Sequence, residues 1–147
     1  MTFGELIDAL GKKLGLELTD EGGATAVEVD GIHLVLQQAN DDLLLVHADL
    51  GEVASENREK VFAAALEANF LYQWTGGATL SVNPHDGHLH LQKYNWLERL
   101  DGEKGFEMVA KFADTAHSWR KLVADSETTS TVFPDNPSAR SGDFMQV

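Results

Sequence analysis

His85, Asp86, His88 and His90 form the one group in the chain whose residue types and spacing could hold a metal ion. On a strand the two-residue period sets His88 and His90 on one face, and a turn would bring His85 and Asp86 toward them. Such a set would make the protein a metal-dependent enzyme or a metal-binding regulator. A solvent-facing strand that alternates with Leu89 and Leu91 explains the same letters, and nothing in the sequence shows a second element supplying a further ligand. We therefore expect no metal and no cofactor. His33, His47 and His117 stand alone and read as surface or half-buried polar residues.

Other catalytic signatures are missing. The chain has no cysteine, and no serine sits in a Gly-x-Ser-x-Gly elbow, so neither thiol nor triad chemistry is indicated. Gly76-Gly77 lacks the Lys and Ser/Thr of a phosphate loop and reads as a helix stop. Asp41-Asp42 falls in an expected turn with no apolar shielding to raise a carboxyl pKa. The sequence does not read as that of an enzyme.

The elements that would position these residues follow from hydrophobic period. Phe3, Leu6, Ile7, Leu10 and Leu14 make one helical stripe, opened by a Thr2/Glu5 capping box and closed by Gly15. Three apolar runs follow, 24–29, 32–38 and 43–48, separated by Asp30-Gly31 and by Asn40-Asp41-Asp42; this predicts a three-strand meander. A second helix is expected from a Ser55 cap to about Trp74, apolar on more than one side toward its end, which implies burial against a core or a partner. A second hairpin, 78–83 and 88–94, turns at 84–87. A third helix, from Asp101 to about Asp125, would bury Phe106, Val109, Phe112, Ala113, Ala116, Trp119 and Val123. The order α-β-β-β-α-β-β-α predicts an α+β fold with a twisted, largely antiparallel sheet flanked by helices, over residues 1–125. Residues 126–147, rich in Ser, Thr, Pro and Asn, read as a flexible polar tail.

Charge narrows the partners. The 147 residues carry 24 acidic and 11 basic side chains, a net −13. Residues 1–57 hold twelve acids and two bases, and residues 58–147 hold twelve acids and nine bases. So acidic a chain repels phosphate backbones and anionic lipid, which speaks against nucleic acid and membrane as partners. An acidic N-terminus and the lack of any apolar run near the roughly 20 residues of a membrane span predict neither signal peptide nor anchor. Phe70, Tyr72, Trp74, Trp96 and Trp119 are more aromatic surface than one sheet obviously covers, and an exposed apolar patch on such a chain marks a protein partner.

Several strings resemble the class I type III secretion chaperones, the CesT/Tir chaperone family. They are Leu14-Gly15-Leu16, Val29-Asp30-Gly31, Ala48-Asp49-Leu50-Gly51, Leu66-Glu67-Ala68-Asn69-Phe70 and Thr75-Gly76-Gly77-Ala78-Thr79-Leu80. The pairing of Glu-Ala-Asn with the later Gly-Gly-Ala-Thr-Leu is the most specific, and the likeness spans residues 3–125. It implies a homodimer in the bacterial cytoplasm that binds the N-terminal segment of a secreted effector in extended form and presents it to the export apparatus, without catalysis. Carried onto this chain, the resemblance places dimer contacts at Phe62, Leu66, Phe70, Leu80 and Val82. It places effector contacts at Phe3, Leu6, Leu10, Val27, Val29, Leu34, Leu36 and Leu45, with the client adding a strand to the sheet. The alternatives are a metal-binding protein or enzyme using His85, His88 and His90, and a regulatory interaction domain of the same fold.

Overall fold

A computed structural model describes residues 1–125; the tail expected over 126–147 lies outside the described residues. The elements run α1 (Phe3–Leu14), β1 (Ala24–Val29), β2 (Ile32–Gln38), β3 (Leu43–Glu52), α2 (Arg58–Asn69), β4 (Thr79–Val82), β5 (His88–Trp96) and α3 (Gly102–Ala124). The five strands form one antiparallel sheet in the order β1-β2-β3-β5-β4. This is the expected α+β class and element order.

The start of α1 is the anticipated capping box. Thr2 Oγ1 accepts from the Glu5 amide at 3.2 Å, and the Glu5 carboxylate accepts from the Thr2 amide at 2.7 Å. Gly15 closes the helix in the left-handed region at φ 68°, a conformation that costs glycine nothing. Phe3, Leu6, Ile7 and Leu10 are buried. They meet α3 where Gly105 lies so close to Leu6 that a Cβ there would stand 2.6 Å from Leu6 Cδ1. Val109, Phe112, Ala113, Ala116, Trp119 and Val123 of α3 are buried as expected, whereas Phe106 is half-buried. Trp119 is fully enclosed, and its indole N–H donates to the Trp74 carbonyl at 2.9 Å.

Two boundaries differ from expectation. The third strand continues past Ala48 to Glu52, with a bulge between Asp49 and Gly51 where Gly51 takes φ 104°. Its polar outward residues hide this continuation from the apolar pattern, while Leu50 keeps the inward phase and is buried.

The second helix is shorter than read. Ser55 belongs to a 3₁₀ turn rather than capping the helix, and the helix ends at Asn69, not Trp74. Phe70 turns to an extended conformation, and Leu71 and Tyr72 take φ 56° and 55°. The buried residues of α2 are all small or medium: Val61, Ala64, Ala65 and Ala68.

Candidate functional site

The far end of α2 and the turn after it carry an apolar surface. Leu66 is 72% exposed and Phe70 69%, and Leu71, Tyr72 and Val82 are also exposed. Left-handed backbone at two successive non-glycine residues costs about 1–2 kcal/mol each and persists only where surrounding structure enforces it. Just before this turn stands Asn69. Its side-chain amide donates to the Leu80 carbonyl at 3.0 Å and its Oδ1 accepts the Leu80 amide at 2.9 Å. Asn69 thus occupies the outer edge of β4 as a short strand would, and it ties the apolar turn to the sheet. Of the residues expected at a dimer contact, Leu66, Phe70 and Val82 are exposed, Phe62 is half-buried against the core, and Leu80 is buried.

The sheet has a second apolar surface on the face away from the buried layer. Leu45 pairs with Tyr94 and Leu43 with Trp96 across β3 and β5. Tyr94 is 59% exposed and Trp96 46%, with Leu43, Leu45 and Val35 half-buried beside them. At one end of the sheet β1 pairs only with β2, so among the described residues its outer edge has no strand against it.

The eight residues nominated for effector contact divide unevenly. Phe3, Leu6, Leu10, Val27, Leu34 and Leu36 lie in the core, and Val29 packs against it. The apolar side of a period-two or period-3.6 stripe is the side that folding itself buries, so these seven shape the sheet from within. Leu45 alone lies on the outer face. Tyr94, a bulky aromatic in the outward phase of β5, stands opposite Leu45 on that face.

The histidine hairpin is also reorganised. His88 Nδ1 lies 2.9 Å from Asp49 Oδ2 across the β3–β5 pairing, and Asp86 Oδ2 is 3.8 Å from the same nitrogen. Asp49, Asp86 and His88 offer ligand atoms within 4.8 Å of one another, so they, and not three histidines, are the residues that could hold a cation. His85 is exposed in the turn, and His90 Nε2 is 4.0 Å from Asp49 Oδ1. The Asp49 hydrogen bond lifts the His88 pKa against partial desolvation, with the charges of Asp49, Asp86 and Glu52 adding to it. Burial raises the Asp49 carboxyl, but the His88 and Gly51 hydrogen bonds and the nearby imidazoles outweigh it and leave it lowered. Burial, with His90 adding to it, lowers His47. The cluster works as a cross-strand ion pair at the bulge.

The model of the Tir chaperone protein (CesT) family matches residues 5–120. The chain belongs to this family. No curated protein matches it in sequence. Among solved structures, the complex of ExoT and SpcS from Pseudomonas aeruginosa contains a chain that is 22% identical with TM-score 0.62, covering 78% of this chain and 94% of that one. The Yersinia pestis type III secretion chaperone SycH, in complex with a fragment of YscM2, is similar at 20% identity and TM-score 0.62, with coverage of 80% and 99%. A protein from Methanothermobacter thermautotrophicus has the same fold at 13% identity and TM-score 0.56, with coverage of 83% and 96%. At these identities the structural likenesses establish the fold, and the family match carries the chaperone assignment. Within the family frame, the Glu67-Ala68-Asn69 string and the Gly76–Leu80 string are two halves of one device, the amide clamp on the β4 edge.

Proposed function

We propose that the protein is a homodimeric cytoplasmic chaperone of bacterial type III secretion. It binds the N-terminal segment of a secreted effector in extended form, keeps it competent for export and presents it to the export apparatus, with no catalysis of its own. The family match over residues 5–120 is the observation that carries this reading. Two surfaces support it. Leu66, Phe70 and Val82 offer a self-complementary apolar patch, with Phe62 and Leu80 beneath it, and burying a Leu or Phe side chain contributes about 1.5–3 kcal/mol. The free edge of β1 offers backbone groups to a client strand, beside the outer face that bears Leu45, Tyr94 and Trp96. Phe3, Leu6, Leu10, Val27, Val29, Leu34 and Leu36 serve by holding that sheet in shape.

The test has two arms. Light scattering of the purified chain at micromolar concentration should give a dimer mass, and Phe70→Asp should give a monomer with unchanged circular dichroism. Capture from native cytosol should enrich a protein held through its N-terminal region, shown by limited proteolysis and mass spectrometry. A strict monomer together with capture of general chaperones alone would overturn the proposal.

A further inference from the structure

In a chain with 24 acidic and 11 basic side chains, three lysines converge on one cleft. The cleft, of about 260 Å³, lies between α3, β5 and the segment that follows the apolar turn. Lys93, Lys104 and Lys111 line it together with Thr75, Asn95 and one acid, Glu107. Lys104 and Lys111 are seven residues apart on α3 and so share a helix face. Lys93 comes from β5, where it pairs with Val46 in the phase facing the buried layer. Its ammonium donates to the Gly76 carbonyl at 3.2 Å, and burial together with the charge of Lys111 lowers its pKa. Among the described residues, none of the three lysines lies within ion-pair distance of a carboxylate.

Two neutral polar groups lie in the same wall. Thr75 is 1% exposed and its hydroxyl has no hydrogen-bond partner, and the buried Nδ2 of Asn95 has none either. Buried polar atoms without partners are uncommon in folded proteins. Here both belong to residues that line the same cleft as three cations. A solvated lysine face on α3 would explain Lys104 and Lys111, but not a half-buried Lys93 beside an unpartnered, enclosed hydroxyl.

We propose that this cleft binds a phosphate group, as inorganic phosphate or as a small phosphomonoester. Three ammonium groups and one carboxylate leave two positive charges, which match a group carrying about −1.5 to −2 at neutral pH. The polar lining residues come from a strand, a helix and a loop, an arrangement that suits a tetrahedral oxyanion better than the two coplanar oxygens of a carboxylate. Lysine holds phosphate as a point charge, without the planar fork that arginine uses.

The test uses the full chain and two probes, inorganic phosphate and glycerol 3-phosphate. Binding is followed by ³¹P NMR and calorimetry at constant ionic strength, with succinate as the carboxylate control. Saturable binding of either phosphate probe is expected, and binding of glycerol 3-phosphate alone would identify the monoester as the form bound. Losing a charge-assisted hydrogen bond should weaken binding about tenfold or more, so Lys93→Met and Lys111→Met should each show that loss. Thr75→Val should weaken it less, and Lys12→Met should leave it unchanged. Lys111 is exposed on α3, so its substitution reads the site even where Lys93→Met disturbs folding. No saturable binding of either probe, equal affinity in Lys111→Met, or tighter binding of succinate than of phosphate would overturn the proposal.

Discussion

The His88–Asp49 pair joins residues 39 positions apart in sequence, at 2.9 Å across two strands. His88 has a folded pKa raised above its ordinary 6.5, so the stability it contributes is full below that value and is lost as pH rises through the raised one. Asp49 has a folded pKa lowered below its ordinary 3.8, so its contribution is full above that value and is lost as pH falls through the lowered one. The pair therefore stabilises the fold most fully between pH 3.8 and 6.5. Urea unfolding of the native chain and of His88→Gln should show the largest gap in midpoint near pH 5 and a smaller one at pH 8. An equal gap at pH 8 would assign the effect to packing of the imidazole and not to its charge. The sequence shows the turn at 84–87 and the shared face of His88 and His90. It cannot show Asp49, because which strand lies beside β5 is decided by sheet order.

At the scale of elements, the same distinction separates what was readable from what was not. The α1 stripe and its cap are local, within four residues of each other, and were legible to the residue. The Asp30-Gly31 hairpin was equally so, with Asp30 and Gly31 both at positive φ. The end of α2 is not a local matter. Phe70, Leu71 and Trp74 continue the apolar spacing of the helix, yet it ends at Asn69, whose side-chain amide is bonded to Leu80, eleven residues on. Seven of the eight nominated effector residues lie in the core or against it for a related reason: hydrophobic period reports the face that folding buries, and the surface left free lies outside it. The clamp makes a prediction of its own. Asn69→Ala leaves the Leu80 amide and carbonyl without partners, which should cost about 1–3 kcal/mol. Denaturant unfolding should register that loss, and native-state hydrogen exchange should find the Leu80 amide exchanging faster while β2 amides stay protected. An unchanged Leu80 rate would mean that the β4 edge does not depend on the clamp.

Over the whole molecule, the net charge of −13 and the exposed apolar turn act against each other. Two copies brought together through Leu66, Phe70 and Val82 would unite 48 acidic with 22 basic side chains, twice the content of one chain, and the repulsion grows as salt is removed. The net negative charge is concentrated in residues 1–57, with twelve acids against two bases, while residues 58–147, which bear the patch, hold twelve acids against nine bases. Repulsion between copies is therefore long-ranged and is screened once the Debye length falls to about 8 Å near physiological ionic strength. Contact between apolar side chains is not weakened by the same salt. A dimer held by this patch should consequently tighten as sodium chloride rises from 20 to 300 mM, the reverse of the behaviour of an interface built on ion pairs. Sedimentation velocity across that range decides between them. A dissociation constant that falls with salt in the native chain, with Phe70→Asp monomeric throughout, assigns association to the apolar turn. One that rises with salt would require opposite charges to meet across the interface, and the contact would then have to be sought away from α2.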